Sequence, residues 1–219
     1  LEILPKKYDF IIIDEVQDFD DEWLAIVRAT GKESFQEMLL CDYNQMVWSK
    51  PRLGSKQHAK FNLTNVLRST QHISISSKAY YHGDDFKCLG PMGDEIDCES
   101  SLDDCEKIIG HVESLIGNGI ETREIAILTD FHISEEIKVK LESSGLNFYD
   151  AENNENGITL DTISRFKGLE SPIVILWFRK SKLNKELMYV GITRARTHLI
   201  VVAPTVLRES IISDFGNQF

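Results

Sequence analysis

Short apolar runs alternate with amphipathic segments along the chain. Residues 8–13, 37–41, 61–63, 125–128, 173–178 and 199–203 are apolar runs of strand length, and Phe148 opens another. Runs apolar on both faces read as strands covered on both sides. Between them, residues 20–31, 69–82, 101–115, 134–144 and 183–196 read as helices. Residues 20–31 carry Trp23, Ile26 and Val27 with Gly31 as a stop signal, and Gly145 ends the segment 134–144. The segment 101–115 is the clearest: an S-x-D-D start precedes a stripe of Ile108, Ile109, Val112, Leu115 and Ile116. Strands alternating with helices of ten or more residues predict an α/β fold with parallel sheets flanked by helices. Residues 49–60 and 84–106 are polar and hold Pro51, Gly54, Gly90, Pro91 and Gly93, so they read as connecting segments.

Composition bounds this picture. A length of 219 residues, 42% of them hydrophobic, suffices for one large domain or two small ones. No apolar run approaches the roughly 18–20 residues of a membrane span. The first residue is Leu1, with no basic segment before an apolar one, so a chain lacking its natural beginning is expected. Cys41, Cys88, Cys98 and Cys105 form no C-x-x-C pair, which points to reduced thiols and a cytoplasmic setting. The net charge of −11 is unevenly placed. Residues 14–22 hold six acids and no base, and residues 84–106 nine acids and one lysine. Residues 165–208 hold nine bases and two acids, so the final third is basic and suited to phosphates.

The first chemical signal is the run Asp14-Glu15-Val16-Gln17-Asp18, directly after three isoleucines. Ligands of open parallel sheets bind beyond the carboxyl ends of strands. A carboxylate pair there suits magnesium, which prefers oxygen ligands and keeps waters shared with phosphates. A Walker B type site for nucleotide hydrolysis is one reading. The other is an acidic helix start, which Asp18, Asp20, Asp21 and Glu22 fit.

Four further segments follow in one order, and together the five resemble motifs II to VI of the UvrD/Rep-like group of superfamily 1 DNA helicases. Asp14-Glu15-Val16-Gln17-Asp18 resembles motif II, D-E-x-Q-D. The run from Leu40-Cys41-Asp42 through Gln45 to Trp48 resembles motif III. Leu63 through Arg68-Ser69-Thr70 resembles motif IV. Thr159 through Lys167-Gly168-Leu169-Glu170 resembles motif V, and Tyr189-Val190-Gly191-Ile192-Thr193-Arg194-Ala195 resembles motif VI. The resemblance implies a RecA-like P-loop NTPase fold. Residues 1–60 would be the C-terminal part of a first RecA-like domain and residues 61–219 a compact second one, without the large insertion common before motif V. It implies ATP and Mg²⁺ as cofactors, hydrolysis at the interface of the two domains, and movement along single-stranded DNA, with RNA left open and no membrane partner. Asp14 would bind the metal and Glu15 activate water. Gln17 and Gln45 would sense the γ-phosphate, and Arg68 and Arg194 would contact it. Glu170, with Gly168 beside it, would bind the nucleotide sugar. Trp48 would stack on a base, and Thr162 and Ser164 would touch strand phosphates.

Some positions depart from the pattern. Val66 and Leu67 replace Asn-Tyr, removing an aromatic surface for adenine. Ser164 stands where motif V has histidine, Cys41 replaces the motif III glycine, and Gly191 the motif VI alanine. The loop G-x-x-x-x-G-K-[ST] is absent. It is expected in an upstream segment of the same protein, so this chain alone is expected to hydrolyse ATP negligibly. In the parent enzyme Arg194→Ala is expected to remove turnover while the fold persists. A regulatory or binding module of ATPase-like fold without hydrolysis is the alternative. A metal-dependent nuclease using Asp14, Glu15 and Asp18 is a third reading, which leaves Arg68 and Arg194 without a role.

Overall fold

The computed structural model describes residues 7–45, 61–100, 104–153 and 157–216. Trp48, the segment 49–60 and the Ser101 cap lie outside them. The chain divides into two compact units, Leu1–Asn62 and Leu63–Phe219.

In the first unit, strand β1 (Tyr8–Ile13) runs through a 3₁₀ turn (Val16–Asp18) into helix α1 (Asp21–Ala29), which leads to β2 (Gly31–Leu39). The two strands pair in parallel, with Ile11 opposite Glu37 and Ile13 opposite Leu39. Asp20 caps α1 by accepting from the Trp23 N–H at 2.7 Å. Ile11, Ile13, Val16 and Leu24 form the core, with Phe19, Val27, Phe35 and Leu39 packed against it. Arg28, in the last turn of α1, forks onto Glu37 of β2 at 2.6 and 3.0 Å. Two expectations change. The strand predicted at 37–41 starts six residues earlier, at Gly31. Gly31 is thus a strand start rather than a helix stop, and it lies so close under Phe35 that a Cβ would come within 2.5 Å of the ring.

The second unit is built on a six-stranded, wholly parallel sheet. Its elements in chain order are β3 (Asn65–Val66), α2 (Gln71–Ser77), β4 (Lys87–Cys88), β5 (Asp97–Ser100), α3 (Asp104–Gly117) and β6 (Ile125–Thr129). Then follow α4 (Glu135–Glu142), β7 (Phe148–Tyr149), β8 (Ile158–Thr162), β9 (Ser171–Trp177), α5 (Lys185–Ile192), β10 (Ala195–Ala203) and α6 (Thr205–Gly216). The sheet order is β5-β10-β9-β6-β8-β7, while β3 and β4 form a separate parallel pair. One core cluster joins Ile125, Ile127, Ile175, Trp177, Ile200 and Val202 of the sheet to Ile108 and Val112 of α3 and Leu141 of α4. The predicted α/β class and parallel sheet are what the structure shows. Among the described residues no helix is long and apolar enough to cross a membrane.

Other expectations are corrected. Residues 61–63 form no strand among the described residues, and Phe61 and Leu63 are about nine-tenths exposed. The segment 84–106, read as a connector, holds β4 and β5, and β5 is the edge strand beside β10. Acids within the strand itself, exposed Asp97 and half-buried Glu99, hide its signal. Asp97 lies 3.5 Å from His198, and Glu99 2.5 Å from Lys107. The helix predicted over 183–196 is shorter, because Ala195 pairs with Ser171 and begins β10.

Candidate nucleotide and nucleic-acid sites

The carboxyl ends of β1 and β2 lie side by side because the strands are parallel. The Leu40 N–H donates to the Ile13 carbonyl at 2.8 Å and the Val16 N–H to the Leu40 carbonyl at 3.0 Å. Just beyond, the chain turns at Glu15, whose φ of 49° is left-handed, the one such residue other than glycine among those described. That conformation costs a non-glycine residue about 1–3 kcal/mol and clusters at functional sites. Asp14 is exposed, and its Oδ1 accepts from the Glu15 N–H at 2.9 Å. Gln17 is fully buried: its Nε2 donates to Glu15 Oε2, and its Oε1 accepts from the Asp42 N–H at 3.2 Å. Asp42 in turn accepts from Gln45 Nε2 at 3.0 Å and from the Asn44 N–H at 2.9 Å. One chain of hydrogen bonds therefore runs Glu15–Gln17–Asp42–Gln45, joining the second and third motifs. Asp42, passed over as a site residue, is its central link. Among the described residues no three His, Cys, Asp or Glu side chains gather as a metal cage. An exposed carboxylate at a strand end fits magnesium, which keeps its waters and binds phosphates.

In the second unit, the amino-terminal ends of β9 and β10 gather three arginines. Arg194 follows α5 and is 2% exposed. Its Nε donates to the Val190 carbonyl, its Nη1 to the Leu169 carbonyl and its Nη2 to Thr193 Oγ1, each at 3.1 Å. Arg68 is half exposed and donates to the Thr193 carbonyl at 3.2 Å. Glu170 lies 3.2 Å from Arg68 Nε and 3.7 Å from Arg196 Nε. The structure thus brings Arg68, Glu170 and Arg194 together and adds Arg196. Only the pairing of β10 with β9 places Arg196 there, so no local sequence signal could single it out.

Motif V spans the sheet. Thr162 ends β8 at the carboxyl edge, level with Thr129 of β6 and Trp177 of β9. Glu170 precedes β9 at the opposite edge. Residues 163–170 cross between, anchored by buried Ile163 and Phe166, with Gly168 at φ 83°. Thr162 Oγ1 accepts from the Arg165 N–H at 3.3 Å, and Ser164 is half-buried in the same turn. Asp161, 3% exposed, accepts from the Thr162 N–H at 2.7 Å and the Ala151 N–H at 3.1 Å, so it sets the shape of the turn. Asp161 and Glu152 push the Arg165 guanidinium pKa up by charge attraction and hydrogen bonding. The residues expected at phosphates and those expected at a strand therefore occupy opposite edges of one sheet.

The class follows from comparison with solved structures. The chain aligns with the PRRSV helicase at 19% identity and a TM-score of 0.50, covering 91% of this chain and 36% of that one. It aligns with arterivirus nonstructural protein 10, a helicase solved with DNA, at 15% identity and a TM-score of 0.53, covering 95% and 43%. The fold is that of helicase RecA-like domains. The C-terminal domain of a possible DNA helicase from Lactobacillus plantarum WCFS1 matches at 21% identity and a TM-score of 0.46, covering 63% of this chain and 87% of that one. More narrowly, residues 157–202 match the UvrD-like helicase C-terminal domain family. That stretch contains motifs V and VI, so the resemblance to the C-terminal portion of a UvrD-like helicase holds. No curated protein matches the chain.

Proposed function

We propose that the protein of which this chain forms part is an ATP-dependent DNA translocase or helicase of the UvrD-like type. The observation that carries this reading is the hydrogen-bonded chain Glu15–Gln17–Asp42–Gln45 at paired strand ends. An acidic helix start needs no such chain, because Asp20 alone caps α1. Asp14 would hold Mg²⁺, which supplies charge neutralisation at the nucleotide phosphates when bound. Glu15 accepts the proton of the attacking water, and Gln17 and Gln45 report on the phosphate through Asp42. Arg68 and Arg194 supply positive charge to the γ-phosphate. Thr162 and Ser164 donate to phosphates of a single strand, with Trp48 as the stacking surface. The match of residues 157–202 to a UvrD-like helicase domain supports the assignment, as does the DNA-bound arterivirus neighbour.

The test is ATP turnover by the full-length protein with single-stranded DNA. DNA-stimulated, magnesium-dependent hydrolysis that Glu15→Gln abolishes is expected. Hydrolysis that persists in Glu15→Gln would overturn the assignment. Full-length protein that binds DNA without hydrolysing ATP would favour a regulatory module.

A further inference from the structure

Glu170 is held by two arginines at once, one on each carboxylate oxygen: Arg68 Nε at 3.2 Å from Oε2, and Arg196 Nε at 3.7 Å from Oε1. The motif resemblance accounts for Arg68 and gives Arg196 no task. Three observations give it one.

The first is how Arg196 is placed. Between Ala195 and His198, β10 spends one residue more than β9 does between Ser171 and Ile173. The bulge exposes Arg196 and Thr197 on a strand that is buried from Leu199 to Ala203. Bulges commonly re-aim a side chain beside a functional site. The backbone there is pinned, since the Arg196 carbonyl accepts from the Thr70 N–H at 3.0 Å and Thr197 Oγ1 donates to the Pro172 carbonyl at 2.7 Å. The second is charge. Two guanidiniums face one carboxylate, with Arg194 next in the chain, so the cluster keeps excess positive charge and attracts anions. The third is access. The side chains of Arg68 and Arg196 are 49% and 52% exposed and that of Glu170 is 34% exposed. These contacts lie open to solvent and can be exchanged for others.

A carboxylate between two guanidiniums occupies positions that phosphate oxygens fill equally well. We propose that Arg196 is a further phosphate-contacting residue of the second unit, and that Glu170 is the removable counter-charge of Arg68 and Arg196, displaced when phosphate arrives. The proposal rests on the nucleotide reading above and extends it. The sugar contact implied for Glu170 then follows displacement from the arginines.

The experiment is calorimetric titration of the 219-residue chain with inorganic tripolyphosphate at low salt. This probe carries phosphate without sugar or base. Arg196→Ala should weaken binding about five- to tenfold, with partial recovery in Arg196→Lys. Glu170→Gln should tighten it about three- to tenfold, because both arginines are released from exposed pairs. Glu135→Gln changes net charge equally but sits on α4, just beyond the carboxyl end of β6, and should change affinity less than about twofold. Thermal melts of each variant establish that it is folded. A sugar-only role for Glu170 predicts no change, or weaker binding, in Glu170→Gln, and that result overturns the proposal. If Arg68→Ala weakens tripolyphosphate binding while Arg196→Ala does not, the proposal alone falls and the nucleotide reading stands. If the wild-type chain binds neither tripolyphosphate nor ATP, the phosphate role of the second unit falls and the proposal with it.

Discussion

Arg194→Ala is expected to cost stability as well as catalysis, which revises the expectation that the fold persists unharmed. The side chain is 2% exposed and its three nitrogens donate to the Val190 carbonyl, the Leu169 carbonyl and Thr193 Oγ1, each at 3.1 Å. Hydrogen bonds from a charged donor contribute about 1.5–3 kcal/mol each before compensation. Compensation here is substantial. The Val190 carbonyl keeps the Thr193 hydroxyl at 2.9 Å. Leu169 is exposed, so its carbonyl can take up water. Deleting a buried cation also relieves its desolvation cost. The remaining loss is one uncompensated hydrogen bond and the cavity left by a long side chain, together about 2–3 kcal/mol. For a unit of this size that corresponds to a fall in Tm of about 4–12 °C. Arg194→Lys keeps the charge but cannot reproduce the fork, so it should fall between the variant and wild type. The assay is thermal unfolding of the 219-residue chain followed by circular dichroism. A Tm for Arg194→Ala within about 1 °C of wild type would show that the buried network carries no net stability. Turnover of any Arg194 variant should be measured at least 15 °C below its own Tm, so that lost folding is not read as lost chemistry.

Further outcomes are expected elsewhere. In the full-length protein, Glu15→Gln should lower ATP turnover by about 100-fold or more while Mg·ATP binding persists, which rapid-quench and equilibrium binding measurements would show; undiminished turnover removes Glu15 from the reaction. Gly191→Ala, which restores the residue usual in motif VI, should destabilise this chain by about 1 kcal/mol, because the new Cβ would sit 2.8 Å from Leu176 Cδ2. Adding Leu176→Val should recover part of that, and urea midpoints unchanged by either substitution would refute the packing argument. Burial pushes the Cys98 thiol up to about 12, whereas Cys41 is exposed. Alkylation at pH 8 followed by mass spectrometry should therefore label Cys41 first and Cys98 only on unfolding. Glu99 is held below its ordinary value of 4.5, chiefly by the Lys107 hydrogen bond. The pair stabilises above that value and loses its effect as pH falls through the depressed one. Lys107→Met should cost a few tenths of a kcal/mol at pH 7, with the gap from wild type closing below pH 4.5; a gap constant across that range would rule the pair out.

The sheet of the second unit was legible wherever a strand is apolar on both faces. Residues 125–128, 173–178 and 199–203 lie in or against three adjacent central strands, β6, β9 and β10, buried between layers of helix. Legibility fails where burial is one-sided or polar. β5 carries Asp97 and Glu99 on one face and, among the described residues, pairs on one side only, so its composition matches a loop. β8 alternates Ile158, Leu160 and Thr162 with Thr159 and Asp161, yet Thr159 and Asp161 are buried. Asp161 is there because its carboxylate satisfies two backbone N–H groups of neighbouring turns, which no periodicity reveals. α6 was missed, although Leu207, Ile211 and Phe215 recur every fourth residue and are buried.

The candidate sites divide the same way. Contacts within a motif or between adjacent strand ends were readable: Asp14, Glu15, Gln17 and Gln45 sit within one short network because β1 and β2 pair in parallel. Contacts made by sheet order were not. Arg68, Glu170 and Arg196 come from three distant stretches, and what unites them is that β10 runs beside β9 while Thr70 donates to the Arg196 carbonyl. The resemblance of residues 159–170 to motif V assigns Glu170 to the nucleotide sugar. Geometry assigns it first to two guanidiniums, because an exposed carboxylate beside two fixed cations lowers its energy there before any ligand arrives. On the proposal made above, an incoming phosphate must outcompete a carboxylate already in place. Discrimination against weakly charged anions follows, since only a ligand with several negative oxygens replaces both contacts at once.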